Sequence, residues 1–315
     1  MGKRLFLVVL VWLLQARVHA QLPDSLLENR SSIGFRYEND FFTATDRYYT
    51  QGIKLEFAHK LWRKSPFSKL LIRNKEEGIH QYGISVEQNC FTPRSIRVDT
   101  IYVGERPYAA VAMLSHFARI TFLKKLQRLE TRLDLGVLGP CAMCEEEQKG
   151  IHHALNNIQP LGWEYQLATD YIINYSITYD FWYGKGRNID VMYSAQLRAG
   201  SLYNDASASV HMRFGRLLPL FESKKPEKAF YAFFFWKNTL RGVVYNATLQ
   251  GGMFNRSSIY TLESNLITRA VLYSNLGVTL RYKKFSLDYS YTLLTNEFKT
   301  GLPHAWGGLR FYLDF

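Results

Sequence analysis

Three cysteines in 315 residues are too few for a disulfide scaffold. Nine prolines and 21 glycines exclude collagen and Pro/Gly-rich disorder, and a 47% hydrophobic content excludes a chain that cannot bury a core. Long apolar runs are also scarce. A single run could serve as a membrane helix, and it stands at the extreme N-terminus, so any further membrane contact must be made by strands.

That run reads Lys3, Arg4, then LFLVVLVWLL over 5–14, then a polar stretch ending Val18-His19-Ala20. A basic start, a short apolar centre and a small-residue exit form the pattern of a secretory signal peptide over 1–20, leaving 21–315 as one domain. An uncleaved anchor is the alternative, against which the shortness of the run argues. Of the formal charge of +12, Lys3, Arg4 and Arg17 supply three, so the remainder carries +9. Export disfavours a nucleic-acid partner, and a basic exported protein suits anionic, phosphorylated lipid.

Most of the remaining chain alternates with period two and is rich in Tyr, Phe, Val, Ile and Thr. Strands are expected near 31–40, 48–60, 78–92, 107–123, 129–140, 166–181, 188–202, 207–218, 228–244, 265–282, 284–298 and 304–315. The last segment places Ala305, Gly307, Leu309, Phe311, Leu313 and Phe315 on one face and Arg310, Tyr312 and Asp314 on the other. An even number of long strands with one polar parity predicts an all-β fold, a twelve-stranded antiparallel transmembrane β-barrel in the outer membrane of a Gram-negative cell. A soluble β-sandwich is the rival reading.

With both ends of such a barrel on the periplasmic side, 41–47, 93–106, 141–165, 182–187, 219–227, a segment near 246–264 and 299–303 are expected outside. The segments 61–77 and 124–128 are expected inside. Asn39-Asp40 ends the first strand and Asp46-Arg47-Tyr48-Tyr49-Thr50 opens the second, so the two groups face each other across a hairpin mouth. Their carboxylate, amide and hydroxyl oxygens suit a hard cation such as calcium, although an Asx turn beside girdle aromatics has the same composition. The 141–165 loop is long enough to be functional and to hold a short helix, with Glu145, Glu146 and Glu147 favoured at its N-terminus. His152 or His153 on that helix is a candidate general base, since imidazole titrates near neutrality.

Cys141-x-x-Cys144 reads as a local disulfide in an oxidising compartment, leaving Cys90 over; a zinc site with His152 and His153 is the lesser alternative. Serine-hydrolase, zincin and nucleotide-binding signatures are all missing.

The strings IGFRYENDFFTATDRYYTQGIKLEF (33–57), GERPYAA (104–110), LDLGVLGP (133–140), EQKGIHHALNNIQPLGWEYQ (147–166) and TNEFKTG (295–301) resemble, in order, the outer-membrane lipid A 3′-O-deacylases, the LpxR family. The most specific parts are Asn39-Asp40, Asp46-Arg47-x-Tyr49-Thr50-x-Gly52 and His152 followed by Trp163. The resemblance implies a hydrolase acting on the ester-linked acyloxyacyl group of lipid A, with calcium as cofactor and the site toward the outer leaflet. Asn39, Asp40 and Thr50 would line that site, Asp40 and Thr50 would hold the metal, and His152 would activate water. Family members can carry a functional Lys after the third strand; this chain has Arg94 and Arg97 there, fit for binding a lipid phosphate but poor proton donors.

The expected partners are lipid A within lipopolysaccharide and the surrounding outer-membrane lipids, with the protein a monomer. Two other functions stay open on the residues alone. One is a phospholipase-type acyl hydrolase, which needs a Ser held by a His on the outer face; the other is a non-enzymatic barrel, which needs no metal.

Overall fold

The computed structural model describes residues 31–43, 45, 47–72, 78–183, 188–218 and 230–315; the expected signal peptide and Asp46 lie outside the described residues. Twelve strands run as β1 Ser32–Asn39, β2 Tyr48–Ala58, β3 Ile79–Thr92, β4 Ala109–Phe122, β5 Gln127–Leu138, β6 Asp170–Tyr183, β7 Ile189–Gly200, β8 Tyr203–Arg216, β9 Phe230–Asn246, β10 Ala270–Tyr282, β11 Phe285–Leu294 and β12 His304–Asp314. Their ends differ from the expected segments by a few residues. Every neighbour is antiparallel, and β1 closes on β12 from Ser32↔Asp314 to Asn39↔Gly307. Closure leaves no sheet edge, which is what a hydrocarbon surround demands of backbone N–H and C=O groups.

Alternation sorts side chains between wall and lumen. Phe35, Leu55, Val86, Leu114, Ile173, Leu197 and Leu240 point outward and are exposed, forming the apolar belt of a membrane barrel. Arg36, Lys54, Glu56, Glu87, Arg119, Glu130 and Arg132 take the opposite parity. They interlock in the lumen, where Arg36 Nη2 donates to Glu87 Oε1 at 3.0 Å and Arg119 Nε to Glu130 Oε2 at 2.7 Å. Two cavities of about 440 and 580 Å³ remain inside.

Antiparallel order also assigns the connections to two rims. The terminal rim holds the start of β1 and the end of β12; the loop rim holds the connections after odd-numbered strands. The expected outside segments 182–187 and 219–227 lie, from 184 and in full respectively, outside the described residues; the strand ends that flank them, β6 and β7 at Tyr183 and Ile189 and β8 and β9 at Arg216 and Phe230, stand at the terminal rim and not the loop rim, because each odd strand reverses the direction of the one before it. At the loop rim, the 141–165 segment carries the expected helix, α1 Cys144–Ala154, and a shorter α2, Ala247–Gln250, follows β9.

Candidate active site on the outer wall

Arg36 and Glu38 face the lumen, so Tyr37 and Asn39 point to the membrane side of β1. On β2 a bulge between Tyr49 and Gln51 resets the register, placing Gln51 opposite Asn39 on one side and Cys90 on the other. The bulge is fastened by Thr50, whose hydroxyl lies 2.9 Å from that of Thr92. Gly52 follows because a Cβ there would overlap the Tyr49 hydroxyl, which crosses it to reach Glu38 at 2.8 Å and Asn89 at 3.0 Å. The result is a polar band, Tyr37, Asn39, Gln51 and Gln88, on wall positions that carry Phe35, Leu55 and Val86 farther down.

Helix α1 covers this band. Its first turn holds Glu145, Glu146 and Glu147, where the positive end of the macrodipole favours them. Cys144, Gln148 and His152, at i, i+4 and i+8, form its buried stripe. Gln88 Nε2 donates to the Ala142 carbonyl at 2.7 Å, Gln51 Nε2 to Glu147 Oε1 at 2.6 Å, and Trp163 Nε1 to Gln148 Oε1 at 2.8 Å. Three helical residues rise about 4.5 Å, close to the roughly 4.8 Å between strands. Cys144 sits on β3 at Cys90 and Glu147 on β2 at Gln51, so the helix runs from β3 across β2 in the direction of β1.

The disulfide corrects the sequence reading. Cys90 pairs with Cys144 across 54 residues, and Cys141 is the free, exposed thiol. A left-handed residue, Met143, turns the chain between Cys141 and Cys144, so the first helical residue faces the wall while Cys141 faces away. The covalent tie sits in an apolar nest of Ile96, Tyr108, Ala110, Ala142 and Trp163. Cys144→Ser is therefore expected to loosen α1 and speed its proteolytic cleavage about tenfold, the equivalent of about 1.4 kcal/mol, while Cys141→Ser stays near wild type. Limited proteolysis of the two variants, with heat-modifiable gel migration as the control for barrel closure, checks this; equal rates would mean that the noncovalent contacts suffice.

Asp40 begins a single 3-10 turn, Asp40–Thr43, and is buried. Its Oδ2 accepts the Arg47 N–H at 2.7 Å, and its carbonyl accepts the Thr43 hydroxyl at 2.7 Å. Asn39 Oδ1 accepts the Phe41 N–H at 2.7 Å, an Asx turn, while its Nδ2 donates to the Tyr37 hydroxyl at 3.2 Å. Both Asp40 and Glu147 lie within electrostatic reach of that hydroxyl. Glu147, Gln51 and Tyr37 were thus missing from the sequence's candidate set; the β1–β2 register sets Gln51 beside Asn39, the alternation of β1 sets Tyr37 there, and the crossing of α1 brings Glu147 to Gln51. Among the described residues no three His, Cys, Asp or Glu side chains group as a metal cluster, so a cation here must draw on neutral oxygens as well.

His152 is buried and His153 exposed. His152 Nδ1 lies 2.5 Å from the Ile158 carbonyl, which can only accept, so Nδ1 carries the proton and Nε2 the lone pair in the neutral ring. Thr50, expected as a metal ligand, has the Thr92 hydroxyl as its side-chain partner. The two arginines part ways. Arg94 turns to Glu105, with Nε 3.9 Å from Oε2, and over the Tyr102 ring. Burial pushes the Glu105 carboxyl up from its ordinary range, against the pull of the Arg106 amide and guanidinium. Arg97 is exposed next to Ile96, which packs under the α1 loop and accepts the Leu161 N–H.

A serine held by a histidine does exist on the outer face, Ser68 to His116 Nε2 at 2.7 Å, near the terminal rim. Ser68 is fully buried and also donates to the Trp62 carbonyl at 2.7 Å, so the pair staples the 60–72 segment to β4 and presents no nucleophile.

Comparison with known proteins places these features. The family model described as outer membrane protein LpxR matches residues 5–315. Among solved structures, LpxR from Salmonella typhimurium aligns over 90% of this chain and 100% of its own, with 18% identity and a TM-score of 0.73. The β domain of the Bordetella autotransporter BrkA aligns over 91% and 100%, with 11% identity and a TM-score of 0.48. No curated protein matches.

Proposed function

The chain belongs to the outer membrane protein LpxR family, and from that premise we propose that it is a lipid A 3′-O-deacylase, a hydrolase that removes the ester-linked acyloxyacyl group from lipid A in the outer leaflet. The observation that carries this reading is the parity of the site. Tyr37, Asn39 and Gln51 look out of the barrel into the membrane beneath a histidine-bearing helix, where a lipid reaches them and a lumen solute does not. Polar groups on a lipid-facing wall are costly unless they serve a site.

His152 takes the proton of a water at Nε2 while the Ile158 carbonyl holds Nδ1–H and fixes the ring. The water oxygen bonds to the acyl carbon, the ester C–O bond breaks, and the proton passes to the leaving alkoxide. Hydrolysis is direct, with no acyl-enzyme. Asp40 and Glu147, with the Asn39 amide oxygen and the Tyr37 hydroxyl, form an all-oxygen set that would hold calcium rather than zinc. When bound, such a cation polarises an ester carbonyl and stabilises its oxyanion. Thr50 serves by locking the bulge, before which Tyr49 faces the lumen and after which Gln51 faces Glu147.

Arg97 is the better placed of the two arginines for a lipid A phosphate. Arg97→Gln is expected to raise KM about tenfold at unchanged kcat, with Arg94→Gln near wild type, because an exposed binding charge acts on ground and transition state alike. Steady-state kinetics on micellar lipid A separates the two.

Mass spectrometry of lipid A from cells that express the protein tests the function itself. Loss of the mass of one acyloxyacyl group is expected, and an unchanged lipid A profile with the folded barrel present in the outer membrane would overturn the proposal.

A further inference from the structure

The larger lumen cavity, about 580 Å³ toward the terminal rim, has no part in the chemistry above. Its wall on β5–β12 is strongly basic. Arg128 is answered by Asp180, with Nη2 2.6 Å from Oδ2, and Arg310 by Asp288 at 3.9 Å. Asp205 is committed to Arg198, which binds both of its oxygens, so Arg241, 3.7 Å away, shares a carboxylate that is already neutralised. Lys237 has no carboxylate oxygen within 4 Å among the described residues. The acid that acts on it, Asp180, already accepts from Arg128 and Ser194. Arg128, Lys237, Arg241 and Arg310, with Arg198 of the neighbouring cavity, thus share three carboxylates, an excess of two positive charges, while the other charges of the lining pair off as Arg36 with Glu38 and Arg213 with Asp190.

Two nitrogens of the same wall are orphaned. His211, the register partner of Lys237, has a buried Nε2 without a hydrogen bond, and so does the buried Nε of Arg241. Both residues line the cavity. Unpaired charge and unbonded nitrogen inside a barrel wrapped in hydrocarbon are expensive, since neither bulk water nor a dense salt solution surrounds them.

We propose that this cavity is a binding site for a small dianionic oxyanion of the phosphate or sulfate class, held by Lys237, Arg241 and His211. A dianion matches the excess of two charges, and its oxygens accept from the Lys237 ammonium and the Arg241 guanidinium beside His211. The cavity is enclosed by the barrel wall, so the source is a free ion of the periplasm and not a lipid headgroup. The site is separate from the outer-wall site and does not depend on the deacylase reading.

Isothermal titration of the full barrel in zwitterionic detergent, at low ionic strength and with chelator present, tests the proposal using inorganic sulfate and inorganic phosphate. One saturable equivalent is expected, at least tenfold weaker in Lys237→Gln, weakened also in Arg241→Gln, and unchanged in Asp40→Ala. Barrel closure of each variant is read by heat-modifiable migration. An absence of saturable binding, or equal affinity in Lys237→Gln, overturns the site. Competition by dispersed phosphatidic acid but not by free phosphate would assign the anion to the membrane and overturn the free-ion source.

Discussion

His152→Ala is expected to lower lipid A hydrolysis about 100- to 10,000-fold, the usual cost of removing a general base. The ring is buried on the stripe of α1 that also carries Cys144 and Gln148, and the Ile158 carbonyl holds its Nδ1 at 2.5 Å. Alanine removes the proton acceptor but leaves the helix's other ties, to Cys90, Gln51 and Trp163, in place. The barrel should close normally and α1 should stay docked, so the loss falls on kcat. His153 is exposed on the other side of the helix, and His153→Ala should stay within a few-fold of wild type. Rates of acyl release from purified lipid A for the two variants decide the matter. An active His152→Ala enzyme would remove the water-activation step, whatever else the site does.

Chelation should abolish activity, and added calcium should restore it. The oxygens gathered at the β1–β2 mouth are hard donors, and losing an electrophilic stabiliser of the oxyanion typically costs on the order of 100- to 1,000-fold. Asp40→Ala should reproduce the loss and should not be rescued by calcium. Asp40 Oδ2 also caps the Arg47 N–H, so Asp40→Asn, which keeps an acceptor there, is the cleaner variant: the turn survives and the charge does not. Full activity in strong chelator, or a calcium requirement unchanged in Asp40→Asn, would remove the metal from the proposal. Direct binding of calcium, measured by titration in wild type and Asp40→Asn, gives a readout that does not rely on turnover.

The barrel was legible in the chain because alternation is a local property. Each strand must present one parity to hydrocarbon and the other to the lumen, so Phe311 and Leu313 against Arg310 and Tyr312 already state which side is which. The helix was legible for a similar reason, since a triad of glutamates opens it and a long loop contains it. The rim at which β6 and β8 end was not local: it depends on how many strands precede them.

Asn39, Asp40 and His152 were visible as residue types and as a resemblance, whereas the company they keep was not. Gln51 shares the outward parity of Leu55 and reads as an ordinary wall residue until it meets the helix, and Glu147 reads as a helix-terminal acid until α1 is laid across β3 and β2. The disulfide shows the limit most plainly. Spacing favours Cys141 with Cys144, but the left-handed turn at Met143 points the two apart, and Cys144 meets Cys90 from 54 residues away. Period, charge and chain order belong to the sequence and determined a membrane barrel with a polar mouth. The choice of partners across strands depends on register, twist and the direction in which a helix leaves a loop, and those are decided only when the barrel closes.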